Sequence, residues 1–122
     1  MTNTIRITEH APEEGTFPIV VSFWETVDGV RALVTPNDDI TWTLTDKNGV
    51  VVNSRSGISV ATPATTITIV LKGNDLALSD TYAGRLRYLL VECTYDSAEY
   101  GDDCPFKGQG EFVIDDFVKV TA

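Results

Sequence analysis

The stretch ITWTLT, residues 40–45, alternates apolar and threonine side chains without interruption. Ile40, Trp42 and Leu44 share one side of an extended chain, and the threonines share the other. A period of two is the spacing of a β-strand with one buried face, and threonine suits the exposed face. The stretch therefore predicts a half-buried strand that places Trp42 in the core.

Segments on both sides of this strand repeat the same period. Their one-sided apolar sets are Phe17, Ile19, Val21 and Phe23; Ile67, Ile69 and Leu71; and Leu89, Val91, Cys93 and Tyr95. Leu86 and Tyr88 are out of phase with the last set, which predicts either a β-bulge or a strand covered on both faces. A final strand is predicted over residues 109–120, with a bulge at Asp115-Asp116.

Turn signals separate the strands. Asn48-Gly49 predicts a type I′ hairpin that joins the Trp42 strand to residues 50–52, and Asp28-Gly29 is a similar signal before a strand at residues 30–34. Residues 75–78 can form one helical turn. The fold class predicted is all-β: a single antiparallel immunoglobulin-like β-sandwich of about seven strands with at most one short helical turn.

The chain of 122 residues has the length of one domain, which we place at residues 16–122. Residues 1–15 are predicted to form an N-terminal arm or an edge strand. Ile5 and Ile7 alternate like a strand, whereas residues 10–15 read as a loop. Because such an arm can pair with its own sheet or with a neighbour, Ile5 and Ile7 are candidate partner contacts, and we expect residues 1–12 to be dispensable for folding.

Charge narrows the classes of partner. The chain has 18 acidic and 9 basic residues, a formal net charge of −9, which disfavours nucleic acid and anionic membranes as partners. The longest purely apolar runs are three residues, far below the roughly 20 that a membrane-spanning helix needs. The N-terminus lacks the pattern of a secretory signal peptide, so we expect a protein made soluble in a cytoplasm, without membrane insertion.

No catalytic motif or cofactor site is predicted. His10 is the single histidine, in a polar segment, and Cys93 lies on a strand face where burial makes a thiol inert, so we expect no enzyme activity. Cys93 and Cys104 are expected to be free thiols in a reducing compartment, with a loop-closing disulfide as the alternative. Arg85 and Arg87 are expected to pair with neighbouring acidic groups or with an acidic partner protein.

An acidic segment carries the one candidate metal site. Asp96, Glu99, Asp102 and Asp103 fall within eight residues, and such oxygen-rich loops can hold Ca²⁺, although the spacing does not match an EF-hand. A solvated acidic loop is the alternative.

Two aromatic residues are candidate contacts on the folded domain. Trp24 lies opposite the apolar side of its strand, which indicates either a second covered face or a contact with a partner. Tyr100, in the acidic turn, is a further candidate contact.

The order of these features resembles that of a known class of domains. The opening is similar to immunoglobulin-like or fibronectin-type-III-like domains of tailed-bacteriophage virion proteins, through Asp28-Gly29, Val34-Thr35-Pro36, residues 40–46 and Asn48-Gly49. The end resembles the last hairpin of such modules, through Tyr95-Asp96-Ser97, Gly101, Cys104-Pro105-Phe106-Lys107 and residues 111–114. Cys93 and Cys104 are too close in sequence to form the disulfide that joins the two sheets of an immunoglobulin domain.

The resemblance implies a non-enzymatic structural protein of the virion, docking on the capsid as a decoration or on the neck or tail, with other virion proteins or further copies of itself as partners. The alternative is a recognition module that binds a host-surface glycan or protein through loops at one end, with Tyr82, Tyr95 and Tyr100 as aromatic faces.

Overall fold

The structure, a computed structural model, describes residues 2–78 and 82–115, and this part of the chain is all-β with one 3-10 turn at Gly73–Leu76. Its strands are β1 (Thr2–Thr4), β2 (Ala11–Pro12), β3 (Thr16–Ser22), β4 (Trp24–Val27), β5 (Val30–Leu33), β6 (Thr41–Asp46), β7 (Ile58–Ser59), β8 (Thr66–Lys72), β9 (Leu86–Ser97) and β10 (Gly101–Asp115). The all-β class and the single short helical turn are confirmed.

The largest sheet has the order β1-β10-β9-β6-β7, and β2 also pairs with β10. Long β9 and β10 form its antiparallel centre. The smaller pairs are β3 with β8 and β4 with β5. Phe23 joins them, because its amide donates to Thr65 O and its carbonyl accepts from the amide of Val34, both at 2.9 Å. β5 and β8 therefore follow one another along the same edge of the β3 to β4 segment.

One apolar cluster contains residues of the largest sheet and of the β3–β8 pair. The Phe17 ring lies 5.2 Å from the Phe112 ring, and the Phe23 ring lies 5.1 Å from the Phe106 ring, measured between centroids. The inward sets predicted for β3, β6 and β8 are buried, and Trp42 is in the core as predicted. The immunoglobulin-like sandwich itself stays a prediction.

The inward set predicted for β9, Leu89, Val91, Cys93 and Tyr95, is buried, and Arg87 extends the same face. Burial alternates without a break from Arg87 to Ser97, so β9 contains no bulge, and Arg87 occupies an inward position with 0% exposure. Its Nη1 donates to Gly84 O (2.8 Å) and Leu86 O (2.9 Å) instead of to a carboxylate. Of the two explanations offered for Leu86 and Tyr88, the bulge is wrong, and both residues are half-buried on the other face of the strand. Backbone carbonyls let the charged Arg87 take a core position.

The two turns predicted at Asp28-Gly29 and Asn48-Gly49 have different backbone conformations. Asp28 and Gly29 both have positive φ, 52° and 79°, as a type I′ hairpin requires. At the other turn only Gly49 does (φ 82°), so the type I′ prediction at Asn48-Gly49 was wrong. The Asp46 carboxylate determines this turn, since it accepts hydrogen bonds from the amides of Asn48 (2.8 Å) and Val50 (3.1 Å).

The N-terminal segment, residues 2–12, lies along β10 of its own chain. β1 and β2 both pair with β10 in parallel, with Thr4 opposite Gln109 and Ala11 opposite Ile114. Ile5 is 8% exposed and Ala11 is fully buried, and both belong to the core. The segment is thus an edge of the domain, and its removal should expose core side chains, contrary to the expectation that it is dispensable. The predicted Asp115-Asp116 bulge and the end of the last strand lie outside the described residues.

Candidate docking surface

The β4–β5 hairpin is the most exposed pair of strands in the described part of the chain. All four residues of β5 are exposed, and Val30 and Leu33 expose 67% and 61% of their surface. Their apolar side chains belong to opposite faces of the hairpin, because neighbouring positions alternate and the two residues are three positions apart. We call Trp24, Val30, Arg31, Leu33 and Tyr100 the hairpin surface.

Trp24 and Arg31 form one stacked unit on the outer face. Trp24 lies opposite Leu33 in the register, so both side chains leave the same face. Arg31 Cζ is 3.5 Å from the centroid of the Trp24 ring, which is a cation–π contact. The unit presents an apolar area beside a positive charge.

The hairpin also offers main-chain hydrogen bonds. Within the described residues β5 pairs with β4 alone, so one edge of β5 is open. Alternate residues of an antiparallel strand direct their N–H and C=O groups to that open edge. The free groups and the exposed apolar side chains are those that strand addition by another protein uses.

A polar cluster supports the inner face. Glu25 is buried, and its Oε2 has no hydrogen-bond partner among the described residues. Burial raises the pKa of the Tyr95 phenol, and the adjacent Glu25 carboxylate raises it further. Tyr100 Oη donates to Thr26 O at 2.9 Å, which ties the turn after β9 to the hairpin.

Of the predicted contact residues, the structure brings Trp24 and Tyr100 to this hairpin. Ile5 lies in the core and lines, with Trp24, a groove of about 210 Å³, while Ile7 is half-buried and packs against the core. Sequence reasoning missed Val30, Arg31 and Leu33. The sequence feature that could have pointed to them is the strand after Asp28-Gly29, which mixes apolar and charged residues and has no purely apolar side.

The acidic segment does not assemble a metal site. Among the described residues no group of three or more potential ligands is close enough to hold a metal ion, so Asp96, Glu99, Asp102 and Asp103 are not brought together. Asp96 Oδ1 instead accepts from the amide of Asp103 at 3.0 Å, across the β9–β10 connection. Of the aromatic faces expected for glycan binding, Tyr95 is buried and Tyr100 is exposed.

The candidate nucleophiles occupy structural positions. Cys93 is buried, and burial raises the pKa of its thiol to about 12. Cys104 is half-buried, and both cysteines are free. His10 Nδ1 lies 2.8 Å from Asp115 Oδ1 and joins the N-terminal segment to β10. The reactive groups are therefore dispersed.

Two carboxylates organise the end of the domain that includes the 3-10 turn. Asp75 accepts from Arg55 Nε (2.7 Å), Asn53 Nδ2 (2.8 Å) and the amide of Lys72 (3.1 Å). Burial raises the pKa of the Asp75 carboxyl, but these donors together outweigh burial and lower the pKa below its ordinary value.

Asp46 forms the second centre. Its Oδ2 accepts from the amide of Ala83 at 3.0 Å, and this bond contributes most to lowering the pKa of the Asp46 carboxyl. Burial lowers the pKa of the nearby Arg87 guanidinium, while the negative charge of Asp46 acts in the opposite direction. Both centres connect loops of the same chain.

The comparisons identify no relative. No protein-family model, curated protein or solved structure matches this chain. In the residues that the structure describes, no helix has the length and apolar character needed to cross a membrane.

Proposed function

We propose that the protein is a non-enzymatic structural subunit that docks on another protein of a tailed-phage particle through the hairpin surface. The observation that carries the proposal is the exposure of β5 on both faces together with its open edge. A strand with exposed apolar residues and free main-chain groups tends to pair with a second chain unless it is covered.

The chemistry of the hairpin favours a protein surface as the partner. Trp24 and Arg31 are of the residue types that dominate binding energy at protein interfaces, and here they are stacked before binding. The net charge of −9 favours a partner of opposite sign.

The virion part of the proposal rests on the resemblance to immunoglobulin-like domains of phage particles. A lattice of repeated subunits multiplies a small contact, so a surface of a few exposed side chains can hold many copies in place. The recognition alternative would use the exposed ring of Tyr100 at the same end of the domain.

Incorporation into particles tests this proposal. Leu33→Lys places a charge on the hairpin surface, and Val70→Lys is the matched control, because Val70 is a 48% exposed strand residue outside the hairpin. Quantitative mass spectrometry of purified particles should find the wild type and the control but a loss of Leu33→Lys.

Absence of the wild-type protein from particles would overturn the structural role. Loss of Val70→Lys with retention of Leu33→Lys would overturn the hairpin as the docking surface. Glycan binding that Tyr100→Ala abolishes, in a protein absent from particles, would favour the recognition module.

A further inference from the structure

We propose that residues 2–12 are an exchangeable strand: the groove on β10 that holds this segment also accepts residues 2–12 of a second copy of the chain, with residues 13–15 as the hinge. This inference concerns contacts between copies and does not depend on the proposed function.

The receiving strand is shaped for the segment. Gly108 and Gly110 alternate with Lys107 and Gln109 along β10, so one face of the strand lacks side chains there. A Cβ on Gly110 would lie 2.8 Å from Ile5 O and 2.9 Å from Ile7 Cδ1. The close approach of the segment thus depends on a glycine, and any copy of residues 2–12 fits the same surface.

The attachment of the segment is short and separable. β1 contributes three paired residues and β2 contributes two, all to β10, and the amide of Ile5 adds one bond to Gln109 O at 2.9 Å. An open groove of about 490 Å³ remains beside residues 4–7, bordered by Tyr88 and Glu111. The pairing can open without breaking the antiparallel centre of the sheet.

The hinge is strained when residues 2–12 pair with β10 of their own chain. Glu14 has φ of 54°, a region that side-chain-bearing residues other than Asn and Asp rarely adopt. The turn is also tight, since a Cβ on Gly15 would lie 2.8 Å from Pro12 Cγ. A short strained hinge favours exchange, because the extended hinge of an exchanged pair releases the strain while the strand contacts are recovered from the neighbour.

Disulfide trapping tests the exchange with partners that each carry one introduced cysteine beside the buried Cys93. Thr4 and Gln109 are register partners and both are exposed, and neighbouring strands hold Cα atoms within the range of about 4.4–6.8 Å that a disulfide spans. In a Cys104→Ser background, the Thr4→Cys variant is mixed with the Gln109→Cys variant and oxidised. The control mixture contains Thr4→Cys and Val70→Cys, because Val70 lies on β8, outside the sheet that contains β1 and β10.

We expect a disulfide heterodimer from the first mixture. At about 100 µM protein it should form at least about tenfold faster than in the control mixture, because thiols held in one complex have millimolar effective concentrations. Absence of this heterodimer, while the Thr4→Cys/Gln109→Cys double variant closes its internal disulfide, would overturn the proposal. The double variant also shows that the substituted chain folds.

A second comparison tests the hinge. Glu14→Gly removes the strain of the positive φ and should lower the rate of heterodimer formation. Asp103→Gly introduces a glycine at the same φ of 54° near the start of β10, outside the hinge, and should leave the rate unchanged. Equal effects of the two substitutions would contradict the role of residues 13–15.

Discussion

The N-terminal segment and the β4–β5 hairpin are both short, peripheral pieces of sheet, yet one is buried and the other exposed. Ile5 and Ala11 of the segment join the core, whereas Val30 and Leu33 of the hairpin face outward. The difference lies in the strand with which each piece pairs. Gly108 and Gly110 let the segment approach the backbone of β10 closely, while β5 pairs only with β4. The receiving strand thus decides whether an edge is buried.

The largest effect on the free energy of unfolding should come from Asp75, the buried carboxylate at the 3-10 turn next to the hinge. Glu14 and Gly73 connect the hinge to the 3-10 turn, through the 3.1 Å bond from the Glu14 amide to Leu76 O and the 2.9 Å bond from the Gly73 amide to Gly15 O. Asp75→Ala should lower the free energy of unfolding by about 3 kcal/mol, the low end for a broken buried ion pair because Arg55 is partly exposed.

Urea denaturation measures this loss. The exposed Asp38→Ala is the control and should stay within about 0.5 kcal/mol of the wild type. Equal losses in both variants would show that Asp75 does not support the hinge.

The same carboxylate predicts a pH dependence. Its pKa is lowered in the folded chain, so its stabilisation is present above the unfolded value of about 3.9 and is lost as pH falls through the lower folded value. Asp75→Asn should therefore lose less stability than the wild type as the pH falls from about 5 towards about 2, the range in which the wild-type carboxylate becomes protonated. Thermal unfolding at each pH measures the difference, and parallel curves would contradict it.

Truncating one apolar residue in each region tests the comparison directly. Ile5→Ala should lower the free energy of unfolding by about 2–3 kcal/mol, because it removes buried methyl groups at the β10 groove. Leu33→Ala should change it by less than about 0.5 kcal/mol, because Leu33 is exposed in the free domain. Chemical denaturation compares the two, and a larger loss for Leu33→Ala would reverse the contrast.

Adding one methyl group to the receiving strand tests its shape. Gly110→Ala should destabilise by about 1–3 kcal/mol through contact with the Ile5 carbonyl. Gly108→Ala is the matched control and should cost less, because the nearest atom to its Cβ would be Phe106 Cε1 at 3.2 Å. Hydrogen exchange at Ile5 should also accelerate in Gly110→Ala, and equal stability losses would reject the fit.

The smallest effect is expected on the hairpin itself. Arg31→Ala removes the stacked cation and should lower the free energy of unfolding by about 0.5–1 kcal/mol, since the contact is exposed. Trp24 fluorescence should change in parallel. Unaltered Trp24 emission would show that the two side chains do not stack in solution.

The sequence predicts most where burial follows period two. The strands with Phe17, Trp42 and Ile69 were predicted with their inward faces because apolar side chains fill the inward positions, except for Asp46 at the end of β6. Arg87 interrupts this pattern, and its carbonyl partners come from a loop and from its own strand. Local sequence does not contain that information, so the burial of Arg87 was missed.

The candidate site was predicted in part. Trp24 stood out because it faces away from the core side of its strand. Its stacking with Arg31 follows from the register of a correctly predicted turn at Asp28-Gly29, but the sequence pattern of β5 shows no buried side. The link from Tyr100 to Thr26 spans 74 residues, and no local pattern could predict it.

The free thiol of Cys93 can serve as a probe of strand separation within the sheet. It lies within the β9–β10 pair, opposite Phe106, and burial raises its pKa to about 12. Since the thiolate is the reactive form, a thiol reagent should modify Cys93 only when these strands separate. With the half-buried Cys104 replaced by serine, the labelling rate would report how often the middle of the domain opens, independently of events at its edges.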